Sequence, residues 1–562
     1  MSGGTVGATR GAAGGSPGEK REPVLLYDTT LRDGAQREGL VLSLQDKLRI
    51  ARALDEFGMP AIEGGWPGSN PKDIEFFAAA KKMRWERAKL AAFGSTRHKS
   101  NRPESDPNLN ALLDAETPIV TIFGKSWTLH VDEVIEASRA ENLAMIAESI
   151  GYIAERGREL VYDAEHFFDG YEADAAYALD TLRAARDAGA STLVLCDTNG
   201  GTLTNRMSEI VRDVRAKLAA DKGAREVVWG IHSHNDAELA VANALAAVDA
   251  GVRHVQATIN GYGERAGNAN MVSLMANLAL KSEHKVAGAD RLADLSTLSH
   301  EVAEIANLAP DDHQPYVGRS AFAHKGGVHG AAQVKTPRAY QHIDPALVGN
   351  RGRLVVSELG GKANTGSRAA ELGVELANSG LDPKTLSALV KEMEAGGASY
   401  EGAEASFELL VERHKPGYVA PFKIMEFTVI VEQRDASEPR AQATVRVRVG
   451  DEDLHTASDG NGPVNALDRA LRKGLGAFYP QLDAVHLVDY KVRILDGGSA
   501  TGAKTRVVID SVAGGDAWST MGVGENIISA SALALADSLE YALLKGDAAV
   551  ARRSERSVPG SR

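Results

Sequence analysis

Between residue 24 and about residue 260, short runs of β-branched and other apolar residues recur eight times, each followed by a longer stretch with apolar positions at helical spacing. The runs are Val24 to Leu31, Ala61 to Trp66, Leu90 to Ser95, Ile119 to Gly124, Leu160 to His166, Thr192 to Thr198, Val228 to His234 and His254 to Asn260. Their starts lie about 33 residues apart, the length of one strand, one helix and two loops. This α/β pattern predicts an N-terminal TIM (β/α)8 barrel over residues 23–284. A doubly wound open sheet is the competitor. It ordinarily has fewer strands and a Gly-rich phosphate turn after the first, whereas the first turn here reads Arg32-Asp33-Gly34-Ala35.

After the barrel the pattern changes. Residues 285–423 read as a helical connecting subdomain, with Val302, Ile305 and Leu308 at helical spacing and the cluster His324-Lys325-Gly326-Gly327-Val328-His329. Residues 424–546 alternate as strands (Phe427 to Glu432, Ala443 to Val449, Tyr490 to Leu495, Arg506 to Ser511) with helices near 463–475 and 526–544. This C-terminal α+β domain carries no cluster of acids, bases or metal ligands, which points to regulation or binding. Gly460 to Pro463 reads as a turn into a helix and Asp496 to Gly502 as a turn between strands. Residues 1–22 and 547–562 read as disordered tails.

Composition narrows the function. A formal charge of -13 argues against nucleic-acid binding, which needs a basic face. No run of about 18 apolar residues suggests a membrane span. The single cysteine, Cys196, leaves no disulfide framework and no thiolate metal site, as expected of a reducing, cytoplasmic compartment.

Barrel enzymes build their sites at the carboxyl ends of the strands, and nearly every run here ends in polar residues. Arg32 and Asp33 close the first, Glu63 lies in the second, and Thr96 to His98 and Lys125 follow the third and fourth. Glu165 ends the fifth, Asp197 and Thr198 the sixth, His232 and His234 the seventh, and Thr258 and Asn260 the eighth. Two histidines spaced i, i+2 on a strand project from one face, which is metal-ligand spacing; two histidines merely making hydrogen bonds at a strand end fit it too. Barrel closure brings Asp33 and Asn268 beside them. Such an oxygen and nitrogen set suits zinc, manganese or magnesium with positions open for substrate.

Three ordered motifs carry a resemblance: Leu26-Tyr27-Asp28-Thr29-Thr30-Leu31-Arg32-Asp33-Gly34-Ala35-Gln36, His232-Ser233-His234-Asn235-Asp236 and Gly261-Tyr262-Gly263-Glu264-Arg265-Ala266-Gly267-Asn268-Ala269. With Ala321 to His329 and Gly460 to Leu467, they make the chain resemble the 2-isopropylmalate, homocitrate and citramalate synthase family from residue 23 to about 546. Glu63 to Asp73 and Phe123 to Trp127 look like that family's citramalate branch.

The resemblance implies a metal-dependent condensation of acetyl-CoA with a small 2-oxo acid, pyruvate in that branch, followed by thioester hydrolysis, as a step of isoleucine biosynthesis. It implies a divalent metal ion held by Asp33, His232, His234 and Asn268. Arg32 would be catalytic and also hold the oxo acid with Thr198, Glu165 would face the acetyl methyl as base, and His329 assisted by Tyr340 would act as acid or base in a neighbouring subunit's site. Asp197 either orients substrate or caps its loop, and His324 shapes its own loop. The last domain is implied to dimerise the chain and to bind a feedback amino acid, isoleucine for this branch. Rival readings are a 2-isopropylmalate or homocitrate synthase taking another oxo acid, a lyase on the same barrel, and a non-catalytic amino-acid sensor.

Overall fold

The computed structural model describes residues 23–355, 366, 380–433, 438–495, 502–514 and 516–556. The expected tail at 1–22, the residues 557–562 and all but Gly502 of the turn at 496–502 lie outside these. Two compact units are present. The first holds the described residues up to Phe322 together with Ile343–Arg351, the second Ala323–His342 and the described residues from Gly352 onward.

In the first unit eight parallel strands close a barrel in sequence order: Leu25–Asp28 (β1), Ala61–Gly65 (β2), Lys89–Ser95 (β3), Ile119–Lys125 (β4), Glu159–Glu165 (β5), Thr192–Asp197 (β6), Val228–Ser233 (β7) and His254–Ala257 (β8). Strand β1 closes the ring against β8, with Leu25 opposite His254 and Asp28 opposite Ala257. The two faces of each strand divide the labour. Outward residues such as Leu26, Ile62, Val120, Tyr162, Leu195, Ile231 and Val255 are buried with the surrounding helices in one core. Inward residues form a small apolar layer of Tyr27, Ala61, Ala91, Ile119, Val161, Val194 and Cys196, above which the interior turns polar.

The helices start and stop on recognisable signals. Ser43 accepts from the Asp46 amide while the Asp46 side chain bonds back to the Ser43 amide, a reciprocal cap for Leu44–Phe57, and Gly58 ends that helix at φ 107°. Helix Leu295–Ile305 buries Leu295, Leu298 and Val302 in the barrel's own core. The packing therefore carries the first unit past residue 284, where the pattern ended the barrel domain.

In the second unit Ala323–His324 (β9) and Arg353–Leu354 (β10) pair in parallel. Two three-stranded antiparallel sheets follow, Lys423–Glu432 (β11), Arg440–Val449 (β12) and Glu452–Gly460 (β13), then His486–Ile494 (β14), Thr505–Ala513 (β15) and Asp516–Gly524 (β16). Helices Pro463–Leu475 and Ile527–Arg556 join them in one core around Val445, Val447, Leu467, Leu471, Val507, Ile509 and Leu535. Strands β13 and β16 and the length of the last helix exceed what the alternation predicts. One stretch of that helix, Ile527–Gly546, is long and apolar enough by length and composition to cross a bilayer, against the expectation of none. Half of it is buried, with Ala530, Ala534, Leu535 and Leu539 in the core, which accounts for its composition as that of a core helix.

Candidate active site

The site grows from the turn that ends β1. Asp28 accepts from the Thr30 amide (3.0 Å) and hydroxyl (2.9 Å), and the Thr30 hydroxyl in turn accepts from the Ile259 amide (2.8 Å), so the ends of β1 and β8 are tied together. This lock aims Arg32 and Asp33 over the barrel mouth. Burial pushes the Asp28 carboxyl up to about 7.

Asp33 Oδ2 lies 3.2 Å from His232 Nε2 and 3.7 Å from His234 Nε2, and one ligand atom from each of the three residues falls within 4.8 Å of the others. Burial opposes ionisation of Asp33, but the neighbouring Arg32 guanidinium and the histidines outweigh it and hold the carboxyl well below the usual range. Burial, followed by the charge of His232, pushes His234 down to about 4, so its imidazole is neutral near pH 7. His232 is shifted the other way: burial lowers it, but its bond to Asp33 prevails and raises it.

Asn268 reaches the same place through the loop after β8. That loop zips onto the end of β7: His234 pairs with Asn268 in an antiparallel bridge, and the Ala269 amide donates to Ser233 O (2.9 Å). A side chain at Gly263 (φ 154°) would collide with the Asn268 amide, and one at Gly267 (φ 92°) with the Gly261 carbonyl, which explains the spaced glycines of this loop. Asn268 Nδ2 donates to Tyr262 O (3.1 Å), while its Oδ1 is buried without a partner among the described residues. An open buried acceptor on the residue bridged to His234, taken with the Asp33 carboxylate and the two imidazoles, is a donor set whose chemistry fits a divalent ion.

A cavity of about 190 Å³ opens over this cluster, lined among others by Arg32, Asp33, Glu165, Thr198, His232 and His234. Arg32 is held on three sides: its Nε donates to Glu63 Oε1 (2.5 Å), its Nη1 lies 3.3 Å from Asp33 Oδ2, and its guanidinium carbon sits 3.7 Å over the Phe93 ring. Glu63 is in turn held by the Tyr27 hydroxyl (2.8 Å). Glu165, expected as the base, is ion-paired with Lys125. Next to it His166 takes a positive φ of 54°, and its amide donates to Thr198 Oγ1 (2.9 Å). Asp197 caps its loop, accepting from the Thr202 hydroxyl (2.8 Å).

The pattern missed three kinds of residue here. Lys125 was visible as a strand end, but its pairing was not. Phe93 and Phe123 stack at 5.3 Å, with Trp66 edge-on to both at 5.8 and 5.4 Å, and this aromatic wall closes one side of the cavity. Asp163 and Gln256 lie buried beneath His232; burial, followed by the Glu63 charge, pushes the Asp163 carboxyl up to about 7. His329 and Tyr340 are in the second unit, stacked on each other at 4.4 Å and exposed, with His324 6.2 Å from Tyr340.

Residues 23–302 match the HMGL-like family model, 316–396 the homocitrate synthase post-HMGL domain-like model, and 401–543 the LeuA allosteric (dimerisation) domain. Among similar proteins, the (R)-citramalate synthase of Synechocystis is 51% identical over 93% of this chain and 97% of its own. That of Geobacter sulfurreducens is 50% identical over 93% and 98%. A probable 2-isopropylmalate synthase of Methanopyrus kandleri is 31% identical over 90% and 96%. The drop of some twenty percentage points between the two activities, at similar coverage, separates the branches. The chain therefore belongs to the 2-isopropylmalate, homocitrate and citramalate synthase family, in its (R)-citramalate synthase branch.

Proposed function

We propose that the chain catalyses the Claisen-type condensation of acetyl-CoA with pyruvate, followed by thioester hydrolysis, giving (R)-citramalate and CoA, as a step of isoleucine biosynthesis. The observation that carries the choice of oxo acid is the aromatic wall of Trp66, Phe93 and Phe123 beside Arg32 and the metal-ligand cluster. Three rings filling that side of a small cavity favour a methyl over a branched alkyl group.

Asp33, His232, His234 and Asn268 would hold a divalent ion, manganese, zinc or magnesium, which when bound supplies Lewis-acid polarisation of the ketone. Arg32 faces the same ketone and opposes the negative charge that develops on its oxygen as the new bond forms. The His166 amide can only donate, so it occupies Thr198 Oγ1 as an acceptor and leaves the hydroxyl proton for a substrate oxygen. Glu165 takes a proton from the acetyl methyl, with Lys125 fixing its carboxylate. The stacked pair His329 and Tyr340 serves as the acid or base group delivered within a homodimer. The 401–543 domain, whose edge strands β11 and β14 expose Ile430, Val431, Val488 and Ile494, supports dimerisation and takes isoleucine as feedback effector.

The test offers purified protein acetyl-CoA with pyruvate, 2-oxobutyrate, 2-oxoisovalerate or 2-oxoglutarate and measures free CoA thiol, with and without isoleucine. Pyruvate is expected to give the highest kcat/KM. A best rate with 2-oxoisovalerate would overturn the choice of oxo acid, and an isoleucine-insensitive rate would overturn the effector.

A further inference from the structure

Beneath the metal-ligand cluster, on the inward face of the barrel, His232 is backed by two side chains that the catalytic scheme does not use. His232 Nδ1 lies 2.8 Å from Gln256 Oε1, and Gln256 Nε2 donates to Asp163 Oδ1 at 2.9 Å. All three are buried: His232 is 5% exposed, Gln256 1% and Asp163 3%. The residues come from β7, β8 and β5, so no local sequence requirement puts them together.

We propose that Gln256, oriented by Asp163, is a positioning residue that fixes the tautomer and the aim of His232 as a metal ligand, an inference that rests on the ligand reading above. The argument is one of polarity. An amide oxygen only accepts, so a His232 Nδ1 facing Oε1 carries a ring proton, and Nε2, which faces Asp33, is the nitrogen whose lone pair becomes available when a metal displaces its own proton. That orientation holds only while the other end of the amide has an acceptor, which Asp163 provides. Reversing the amide would set Nε2 against the imidazole, put the ring proton on the ligating nitrogen and remove His232 from the metal.

His234 makes the contrast. Its Nδ1 is buried with no hydrogen-bond partner among the described residues, and none of them orients that ring from behind as Gln256 does His232. Of the two imidazoles, His232 is the one whose direction is set in advance, and outer partners of this kind typically change metal affinity 10 to 100-fold when removed.

The experiment measures binding of Mn²⁺ alone to the full-length apo chain, by the electron-paramagnetic signal of free Mn²⁺, together with the visible spectrum of the Co²⁺ form. Gln256→Leu is expected to weaken Mn²⁺ binding roughly 10 to 100-fold and to alter the Co²⁺ bands. The double variant Gln256→Glu with Asp163→Asn exchanges carboxylate and amide but keeps an acceptor on His232 Nδ1, and is expected to bind within about threefold of the parent. His232→Ala is the control for the ligand reading. Tight binding by Gln256→Leu, within about twofold of the parent, with loss of binding in His232→Ala, overturns the positioning role alone. Parent-like binding in His232→Ala overturns the ligand assignment itself. If Gln256→Leu does not fold, the double variant decides, and a loss greater than about tenfold there overturns the polarity argument.

Discussion

The backbone amide of His166 donates to Thr198 Oγ1 across 2.9 Å, joining the residue next to Glu165 on β5 to the residue that follows β6. It binds the positions assigned to base and substrate contact into one rigid pair, and it accounts for the uncommon φ of 54° at His166, which turns that amide toward the hydroxyl. Thr198→Val removes the acceptor and leaves a buried amide unpaired, whereas Thr198→Ser preserves both roles of the hydroxyl. The valine variant is expected to lose about 10-fold or more in kcat/KM for pyruvate and the serine variant less than about threefold. Steady-state rates that do not distinguish valine from threonine would remove Thr198 from the site.

Metal content offers a direct check on the ligands. His232→Ala and Asp33→Ala each take one donor from a small set, so metal measured by elemental analysis and turnover are expected to fall together by at least about 100-fold in activity. Full occupancy in either variant would show that the cluster is not the ion's site.

The aromatic wall makes a prediction about selectivity. Phe93→Ala removes one ring of the stacked pair beside Arg32, and the extra room is expected to raise the 2-oxobutyrate to pyruvate ratio of kcat/KM by about 10-fold. Because Phe93 also supports Arg32, the absolute rate with pyruvate is expected to fall as well. An unchanged ratio with a lower rate would mean that the ring supports the guanidinium without sizing the pocket.

Replacing Arg32 tests charge against shape. Arg32→Lys keeps a cation but cannot reach Glu63, Asp33 and the ring face of Phe93 at once, so kcat is expected to drop about 100-fold with Mn²⁺ binding largely retained. A variant with parent-like kcat would leave Arg32 as a structural ion pair.

Stability has its own pH signature at Asp28, whose carboxyl is raised from 3.8 to about 7 by burial. Between those values the unfolded chain has released the proton and the folded chain still holds it, so this contribution to stability is fully present below 3.8 and lost as the pH rises through about 7. Asp28→Asn removes the penalty while keeping an acceptor for the Thr30 amide. Its melting temperature relative to the parent is therefore expected to be higher at pH 8 than at pH 5; an offset that does not vary with pH would contradict the burial argument.

The barrel was legible because its strands are buried on both faces and read as dense β-branched runs, with the polar residues gathered at one end of each. Strand β13 was not, since Glu452, Asp453 and Asp459 interrupt its alternation and its place is set by pairing with β12, Val447 opposite Leu454. At the site, Asp33, His232 and His234 announce themselves by chemical type and spacing. Gln256 does not: a neutral amide in a strand has no signature, and its meaning comes from Asp163, 93 residues away, and from an imidazole on the neighbouring strand. The ring pair of Phe93 and Phe123 was hidden for a similar reason, because aromatic residues in strands ordinarily mean core.

Asp33 follows the first strand, while the residues that would complete its set stand on the seventh and in the loop after the eighth; the contact that seals the ring, Thr29 with Ala257, spans 228 positions of sequence. A nascent chain emerging from the ribosome consequently holds an isolated aspartate for most of the time the barrel takes to be made. The first and last strands can meet once β8 has cleared the exit tunnel, and the loop containing Asn268 follows them out. Metal capture is thereby deferred to the final stage of barrel synthesis, and a chain released early, short of that loop, would lack the means to withdraw an ion from the cell's pool.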